Sequence, residues 1–116
     1  MGVLSFGSLN YDRTYEVEAF VEAGQTIFSL KYSEFLGGKG LNQSVSLNRA
    51  GCEVYHMGVV GPDGGELKQM LHENGIHTDY IFDSPIQSGH AVMQLSQAGE
   101  NAIIVDGGSN LEYQNI

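Results

Sequence analysis

The chain is poor in cysteine, proline, tryptophan and long apolar runs. Of its 116 residues, one is cysteine, two are proline and none is tryptophan. With Cys52 as the single cysteine, no disulfide can form within the chain, and this favours the reducing cytoplasm. No apolar run approaches the roughly 18 residues of a membrane span, and no basic stretch leads into a long apolar one at the N-terminus. We therefore expect neither a membrane span nor a signal peptide.

Positive charge is scarce as well. Five Lys and Arg stand against 14 Asp and Glu, which gives a formal net charge of -9. Such a surface repels the phosphate backbone of DNA and RNA, so nucleic-acid binding is disfavoured. The excess of acids is otherwise explained by solubility alone.

Motifs for metal binding and for nucleophilic catalysis are also missing. The four histidines are His56, His72, His77 and His90, and no two of them have the H-x-x-x-H spacing of a helical metal site. The sequence places no nucleophile beside a general base. We therefore expect no metal ligands and no catalytic residue in this chain.

Glycine, in contrast, is abundant, with 16 residues in the chain. These glycines are scattered among short apolar runs, which predicts many turns between short elements rather than disorder. A hydrophobic fraction of 41% over this length suits one domain with a modest core.

The hydrophobic pattern predicts alternating strands and helices interrupted by two β-ribbons. In chain order we expect a buried strand over 3–9, ribbon strands over 14–20 and 26–35, a helix over 41–50, a strand over 53–60, a helix over 63–74, a strand over 78–82, and hairpin strands over 88–96 and 102–105. Asp63 is expected to cap the second helix, and Gly51 and Gly75 to end the two helices. The β-α-β-α-β part predicts right-handed crossovers onto a parallel sheet, with the ribbons as a flap above its carboxyl edge.

The most informative run is Gly-Gly-Lys-Gly-Leu-Asn-Gln at 37–43, taken together with Asn10 and Asp12. An ionised Asp12 only accepts hydrogen bonds, and its two oxygens can hold two adjacent hydroxyls. Asn10 and Asn42 both donate and accept, as hydroxyls do, and the glycines leave room for a ring. The amides at the start of the following helix are expected to point at the ligand. This combination is typical of a sugar site.

Simpler explanations exist for each part of this pattern. The polar pair after the first strand is compatible with an Asx turn, and the glycine run with an ordinary loop carrying a solvated Lys39. The run is not a Walker A loop, because Ser33 holds the first glycine position and Gly40 the Ser/Thr position. It is not a dinucleotide fingerprint either, because Gln43 stands where the third glycine belongs.

Several segments of the chain, taken in order, resemble the N-terminal part of ribokinase-like members of the PfkB carbohydrate-kinase family. The matching segments are 7–12, 24–26, 37–43, 48–51, 58–64, 74–76, 89–105 and 108–110. The resemblance runs through the whole chain. The pair Asn10 and Asp12 favours the ribokinase branch over relatives that phosphorylate sugar phosphates.

The resemblance implies an α/β fold with part of a doubly wound, Rossmann-like parallel sheet and a lid of β-strands. One domain is expected over 1–116, with its sheet and helices at about 1–12, 37–86 and 104–116 and its lid ribbons at about 13–36 and 87–105. In ribokinases the lid also serves as a dimer clasp. We therefore expect a homodimer or higher self-association, through the lid or through the open edge of a sheet cut after three strands.

The resemblance also implies which residues would touch a ribose-like sugar. The substrate-binding residues are Asn10, Asp12, Gly38, Lys39, Gly40 and Asn42. The lid contacts are Ala91, Met93 and Ile103. A phosphate-bearing substrate would need more basic side chains than this chain has, and this favours an uncharged sugar.

The family reaction moves the γ-phosphate of ATP to a sugar hydroxymethyl group, with Mg²⁺ and, in many members, a monovalent cation. The Gly-Ala-Gly-Asp motif with its catalytic base, the ATP loops and the monovalent-cation site lie in the second half of family members and are absent here. We therefore expect this chain alone to bind no cofactor and to be inactive. Two alternatives stay open: a non-catalytic module that binds sugar or dimerises through the lid, and a fragment of a family kinase for fructose phosphate or a nucleoside.

Overall fold

A computed structural model describes residues 2–115 and contains two β-sheets, two α-helices and a 3-10 helix. The strands are β1 Gly2–Phe6, β2 Asn10–Val17, β3 Lys31–Gly37, β4 Glu53–Val60, β5 His77–Asp83, β6 Gly89–Ser96 and β7 Asn101–Asp106. The helices are α1 Lys39–Arg49 and α2 Gly65–Glu73, and the 3-10 helix covers Gly108–Asn115. Within this described range, no helix has the length and apolar character needed to cross a membrane.

The first sheet is parallel, with strand order β1-β4-β5. In the chain, α1 directly precedes β4 and α2 connects β4 to β5. The apolar residues of both helices join those of the sheet in a single core. The core is formed by Leu9, Tyr11, Leu41, Val45, Val54, Val60, Leu67, Leu71, Ile76 and Ile81. Cys52 is half-buried and packs against this cluster, which fits its expected role as a small core residue.

The predicted helices are confirmed, with two corrections at their starts. Gly51 and Gly75 follow the helix ends with φ of 97° and 78°, the left-handed conformation that glycine adopts without strain. However, α1 begins at Lys39, two residues earlier than predicted. The prediction that Asp63 caps α2 was wrong, because Gly64 holds the cap position without a side-chain bond. The Oδ1 atom of Asp63 instead accepts a hydrogen bond from the Ser88 amide at 2.9 Å.

The prediction of one buried strand over 3–9 was also wrong. β1 ends at Phe6, and a new strand, β2, starts at Asn10 in the other sheet. Leu4 and Phe6 are 56% and 54% exposed, because they point to the face of the first sheet that lies opposite the two helices. Asn10 and Asp12 therefore lie inside a paired strand and not in a turn beyond a strand.

The second sheet joins the two predicted hairpins, with strand order β3-β2-β6-β7. β2 pairs antiparallel with β3 and β6 antiparallel with β7, as the ribbon pattern predicted. The two ribbons meet because β2 and β6 pair in parallel, with Asn10 opposite Gly89. The strands of the first ribbon are displaced from the predicted 14–20 and 26–35, since β2 begins and ends earlier and β3 begins and ends later. Residues 18–30 form no strand. We call these residues the 18–30 connection.

A buried histidine ties α1, β4 and the end of β1 together. The Gly7 carbonyl can only accept, so Nε2 of His56 donates to it at 3.1 Å. The Nδ1 atom of His56 is then unprotonated and accepts the hydroxyl hydrogen of Ser44 at 2.6 Å. His56 and Ser44 are both fully buried. This pair fixes the position of Gly7 at the carboxyl edge of the first sheet.

We expect stability to fall as the pH drops below about 6.5, the pKa of a free histidine. Burial lowers the pKa of His56, although its hydrogen bond to Gly7 opposes this shift. The unfolded chain therefore takes up the proton at a higher pH than the folded chain does. The neutral His56 contributes its full stabilisation above the histidine pKa of the unfolded chain. This stabilisation is lost as the pH falls from there through the lowered pKa of His56 in the folded chain.

Urea unfolding at a series of pH values between about 8 and 5 measures this loss. In the variant His56→Gln the decline over this range should be much smaller. The control is His72→Gln, since His72 is exposed on α2. An equal decline in wild type and His56→Gln would contradict this explanation.

Candidate functional site

The candidate site lies where β2 runs between β3 and β6, next to the start of α1. Asn10 is opposite Gly37 on one side and Gly89 on the other. Asp12, two residues further along β2, is opposite Phe35 and Ala91. Residues two apart in a strand share a face of the sheet, so Asn10 and Asp12 project from the same face.

Asp12 is half-buried and lies directly over the backbone of Gly37. A Cβ atom added to Gly37 would lie 2.5 Å from Oδ2 of Asp12, so a side chain at this position would displace the carboxylate. Burial raises the pKa of Asp12. Among residues 2–115, no cation pairs with this carboxylate and no protein group donates a hydrogen bond to it. The carboxylate is therefore a partly desolvated acceptor with room for donors from a ligand.

The turn before α1 approaches the residues after β1 so closely that only glycine fits. Gly38 has a φ of 100°, and a Cβ atom there would lie 2.6 Å from the Ser8 carbonyl oxygen. A Cβ atom on Gly40 would lie 2.5 Å from the Ser8 nitrogen and 2.6 Å from Cα of Gly7. The Leu41 amide donates to the Ser8 carbonyl at 3.1 Å. The amides at the start of α1 were expected to point at a ligand. The Leu41 amide instead donates to the chain's own Ser8 carbonyl and is not free for a ligand.

The remaining residues expected from the glycine-rich run lie on the first turn of α1. Lys39 and Asn42 are exposed, and the Asn42 amide donates to the Gly38 carbonyl at 3.0 Å as part of the helix. A Cβ atom on Gly38 would also lie 3.2 Å from the Asn10 nitrogen. The structure thus brings the start of α1 against the start of β2, although these segments are almost 30 residues apart in the sequence.

The three expected lid contacts lie on the second sheet. Ala91 is opposite Asp12, and Met93 is opposite Ile103 on β7. Because opposed residues of neighbouring strands share a face, these side chains lie on the same face as Asp12. Ala91 and Met93 are half-buried, and Ile103 is 53% exposed. The face is therefore partly apolar, with the carboxylate at one end.

The sequence reasoning assigned no role to Asn110, which lies directly behind Asn10. Its Oδ1 atom accepts the Leu9 amide at 3.0 Å, and its Nδ2 atom donates to the Leu9 carbonyl at 3.2 Å. The same Nδ2 atom donates to Oδ1 of Asn10 at 2.7 Å. A Cβ atom on Gly89 would lie 2.5 Å from Oδ1 of Asn10, so glycine is required here as well. Residues 108–110 belong to the segments that resemble the family, and this was the one sign in the sequence that Asn110 could matter.

Two other features of the structure do not belong to this site. The Ser44–His56 pair has the composition of a nucleophile and a base, but it is fully buried and its Nε2 atom is bound to a carbonyl. A cavity of about 550 Å³ lies between the second sheet and the 18–30 connection, and Val17, Phe28 and Val92 contribute to its lining. No charged side chain lines this cavity.

Comparison with known proteins identifies the family. The sequence model of the pfkB family of carbohydrate kinases matches residues 2–116. The chain belongs to this family. The predicted family and fold class, an α/β arrangement with a parallel sheet and a second strand layer, are both confirmed.

Several ribokinases are similar to this member of the pfkB family. The ribokinase of Bacillus subtilis is 35% identical over 109 residues, which make up 90% of this chain and 36% of that protein. The crystal structure of Cryptococcus neoformans ribokinase in complex with ADP has a TM-score of 0.87 and 36% identity over 93% of this chain and 35% of the other. Arabidopsis thaliana ribokinase, complexed with ribose and ATP, has a TM-score of 0.86 and 33% identity, and the match covers 92% of this chain and 36% of the other.

This chain therefore spans about a third of the length of the ribokinases that it matches. The matched third is their N-terminal portion. Within residues 2–115, no three side chains of His, Cys, Asp or Glu come together as possible metal ligands.

Proposed function

We propose that this chain is the sugar-binding part of a ribokinase-like carbohydrate kinase, with D-ribose or a similar uncharged sugar as its ligand. The observation that carries the proposal is the Asp12 carboxylate, which has a raised pKa and no cationic partner among residues 2–115. Vicinal hydroxyls of a sugar donate the hydrogen bonds that this carboxylate lacks. The structure of the Arabidopsis relative, at 33% identity, is of a complex with ribose and ATP.

Each residue around the carboxylate has a proposed task. Asn10 and Asp12 bind sugar hydroxyls, and the glycines at 38 and 40 let the ring approach the backbone of the turn. Lys39 and Asn42 complete the polar wall from the first turn of α1. The second sheet acts as a lid, in which Ala91, Met93 and Ile103 cover the apolar side of the ring.

The distribution of basic side chains favours an uncharged sugar over a sugar phosphate. Arg13 follows Asp12 in β2. Its Nε atom lies 3.4 Å from Oε2 of Glu34, so its charge is already paired. Lys68 is bound to Asp83 at 2.7 Å on the surface of α2 and β5. Lys39 is then the basic residue at the glycine-rich turn, and it offers a phosphate a single point charge without the paired donors of an arginine.

A titration of the chain with D-ribose by calorimetry tests the proposed function. We expect heat of binding that saturates at one sugar per chain, and binding about 100-fold weaker when Asp12→Ala is titrated in the same way. A chain that acts only as a dimerisation module should give no heat with either protein. Absence of ribose binding by the folded wild-type chain would overturn the proposal.

We further predict that this chain alone does not transfer phosphate from ATP. In the parent family ATP, Mg²⁺ and a monovalent cation serve the reaction, and the resemblance places the catalytic base and the ATP loops in the second half of family members. This chain spans about the N-terminal third of the ribokinases that it matches. Ribose-dependent ADP formation, measured with purified chain and Mg-ATP, should stay at the blank. A full-length ribokinase is the positive control, and turnover above blank that requires Asp12 would contradict the prediction.

We also propose that the chain self-associates, in the cytoplasm, through the lid or the open first sheet. Leu4 and Phe6 leave an apolar face open beside unpaired strand edges, and Ile104 is 73% exposed on the lid. Light scattering should therefore give a mass of at least two chains. Phe6→Lys and Ile104→Lys show which surface is used, since only the variant in the contact should become monomeric. A monomeric wild type would contradict self-association.

A further inference from the structure

Two asparagines form a directed chain of hydrogen bonds behind the proposed sugar site. Asn110 follows the 3-10 helix start at Gly108, where a φ of 50° turns the chain back toward the first sheet. Its neighbour Ser109 is fully buried and donates to the Val59 carbonyl at 3.1 Å. Asn110 is thus held firmly in place by its own backbone segment.

The backbone of Leu9 determines which way the amide of Asn110 points. An amide N–H can only donate and a carbonyl can only accept, so the Leu9 N–H must meet the oxygen of Asn110 and the Leu9 carbonyl its nitrogen. The opposite amide orientation would place two donors together and two acceptors together. The main-chain groups of Leu9 therefore determine which side-chain atom of Asn110 is the oxygen and which is the nitrogen.

Asn110 in turn determines the orientation of Asn10. The Nδ2 atom of Asn110 donates at 2.7 Å to the side chain of Asn10, which must present its oxygen. Gly89 permits this contact, since a Cβ atom there would lie 2.5 Å from that oxygen. The Nδ2 group of Asn10 then points away from Asn110 and is available as a donor. Asn10 and Asp12 lie on the same face of β2.

We propose that Asn110 is a positioning residue that makes Asn10 a hydrogen-bond donor in the sugar site. The site then combines a donor, Asn10, with a pure acceptor, Asp12, two residues apart on one strand. Such a pair suits a ring that offers a hydroxyl hydrogen to the carboxylate and a lone pair of a neighbouring oxygen to the amide. This inference rests on the proposed sugar-binding function for its effect on affinity, but the orientation of Asn10 can be measured without a sugar.

The variant Asn110→Asp tests the inference because it removes the donor and places a carboxylate oxygen opposite Asn10. We expect the Asn10 amide to turn over and donate to that carboxylate. In ¹⁵N-edited NMR spectra of the sugar-free chain, the side-chain NH₂ signals of Asn10 should move downfield and exchange more slowly with water than in wild type. Unchanged Asn10 signals in a folded variant would overturn the inference.

Ribose affinity provides the second measurement. Asn110→Asp should weaken binding about 10-fold, as expected for the loss of one well-placed hydrogen bond. In the background of Asn10→Ala the same substitution should cause no further loss, because Asn110 acts through Asn10. Independent losses that multiply in the double variant would show a merely structural role and overturn the inference.

Two further proteins keep the test decisive. Asn101→Asp adds the same charge at an exposed position of β7 and should leave both the Asn10 signals and the affinity unchanged. Asn110→Ala serves if Asn110→Asp does not fold, and its Asn10 side-chain signals should broaden or shift because the amide is no longer held. If the wild-type chain binds no ribose, the proposed function fails, while the NMR comparison still decides the orientation of Asn10.

Discussion

Replacement of Gly40 by alanine is expected to destabilise the chain by about 3 kcal/mol, a large part of the roughly 5–15 kcal/mol that holds a small domain folded. The added methyl group would lie 2.5 Å from the Ser8 nitrogen and 2.6 Å from Cα of Gly7. Both are main-chain atoms, so no flexible side chain can move aside. Relief requires α1 to move away from the turn after β1, which breaks the bond between the Leu41 amide and the Ser8 carbonyl.

The matched control is Gly65→Ala, a glycine at the start of the other helix. Gly65 is the first residue of α2, and an added Cβ atom there meets nothing within 4 Å. Alanine should be neutral or stabilise by up to about 1 kcal/mol at this position, because it restricts the unfolded chain. Urea unfolding measures both variants. Equal stability of Gly40→Ala and wild type would show that the close contact between α1 and the turn is not formed.

Asp12→Ala is expected to reduce the affinity for ribose about 100-fold, which corresponds to roughly 3 kcal/mol for two hydrogen bonds to a charged acceptor. The same substitution should hardly affect folding. Burial raises the pKa of Asp12, so the folded chain holds the charged carboxylate at a cost when no ligand is bound. Asp12→Asn, which keeps the shape, should therefore be as stable as wild type or more stable, and should still bind ribose weakly.

The pH dependence of ribose binding gives an independent check on Asp12. The ionised carboxylate is the form that accepts sugar hydroxyls, so affinity should fall as the pH drops through its raised pKa. The decline should begin at a higher pH than for an ordinary aspartate and should be absent in Asp12→Asn. Asp79→Asn, at an exposed position of β5, should keep the wild-type profile. A decline that persists in Asp12→Asn would assign the pH dependence to another group.

Much of the helical part of the fold follows from the sequence. Gly51 and Gly75 mark helix ends because their left-handed conformation costs little only for glycine. The strand over 53–60 was predicted with its exact bounds, since its apolar run is flanked by a helix end and by Gly61. These features depend on neighbours in the sequence.

What could not be predicted depends on distant pairing. The run over 3–9 is mostly apolar and reads as one strand, so its pattern does not show that the chain leaves one sheet after Phe6 and enters the other at Asn10. The parallel pairing of β2 with β6 joins segments about 80 residues apart, and no local pattern encodes it. The capping role assigned to Asp63 failed for the same reason, because the Ser88 amide competes for its carboxylate.

The site shows the same division. Asn10, Asp12 and the glycine-rich turn were predicted to form a sugar site from residue types that bind hydroxyls and leave space for a ring. The structure places these segments side by side. Asn110 carried no role in the sequence, because its bonds to Leu9 and Asn10 bridge about 100 residues. Its hydrogen bonds form only when both sheets are in place.

Amide NMR spectra recorded during titration with D-ribose test the central claim most directly, because they locate the sugar on the chain. We predict that the signals which shift with saturation belong to Asn10, Asp12, Gly38 and Asn42, followed by smaller shifts at Ala91. Signals of the 18–30 connection, which borders the separate cavity of about 550 Å³, should stay unchanged. Saturable shifts confined to that connection, or no shifts at all in a folded chain, would contradict the assignment of the sugar site.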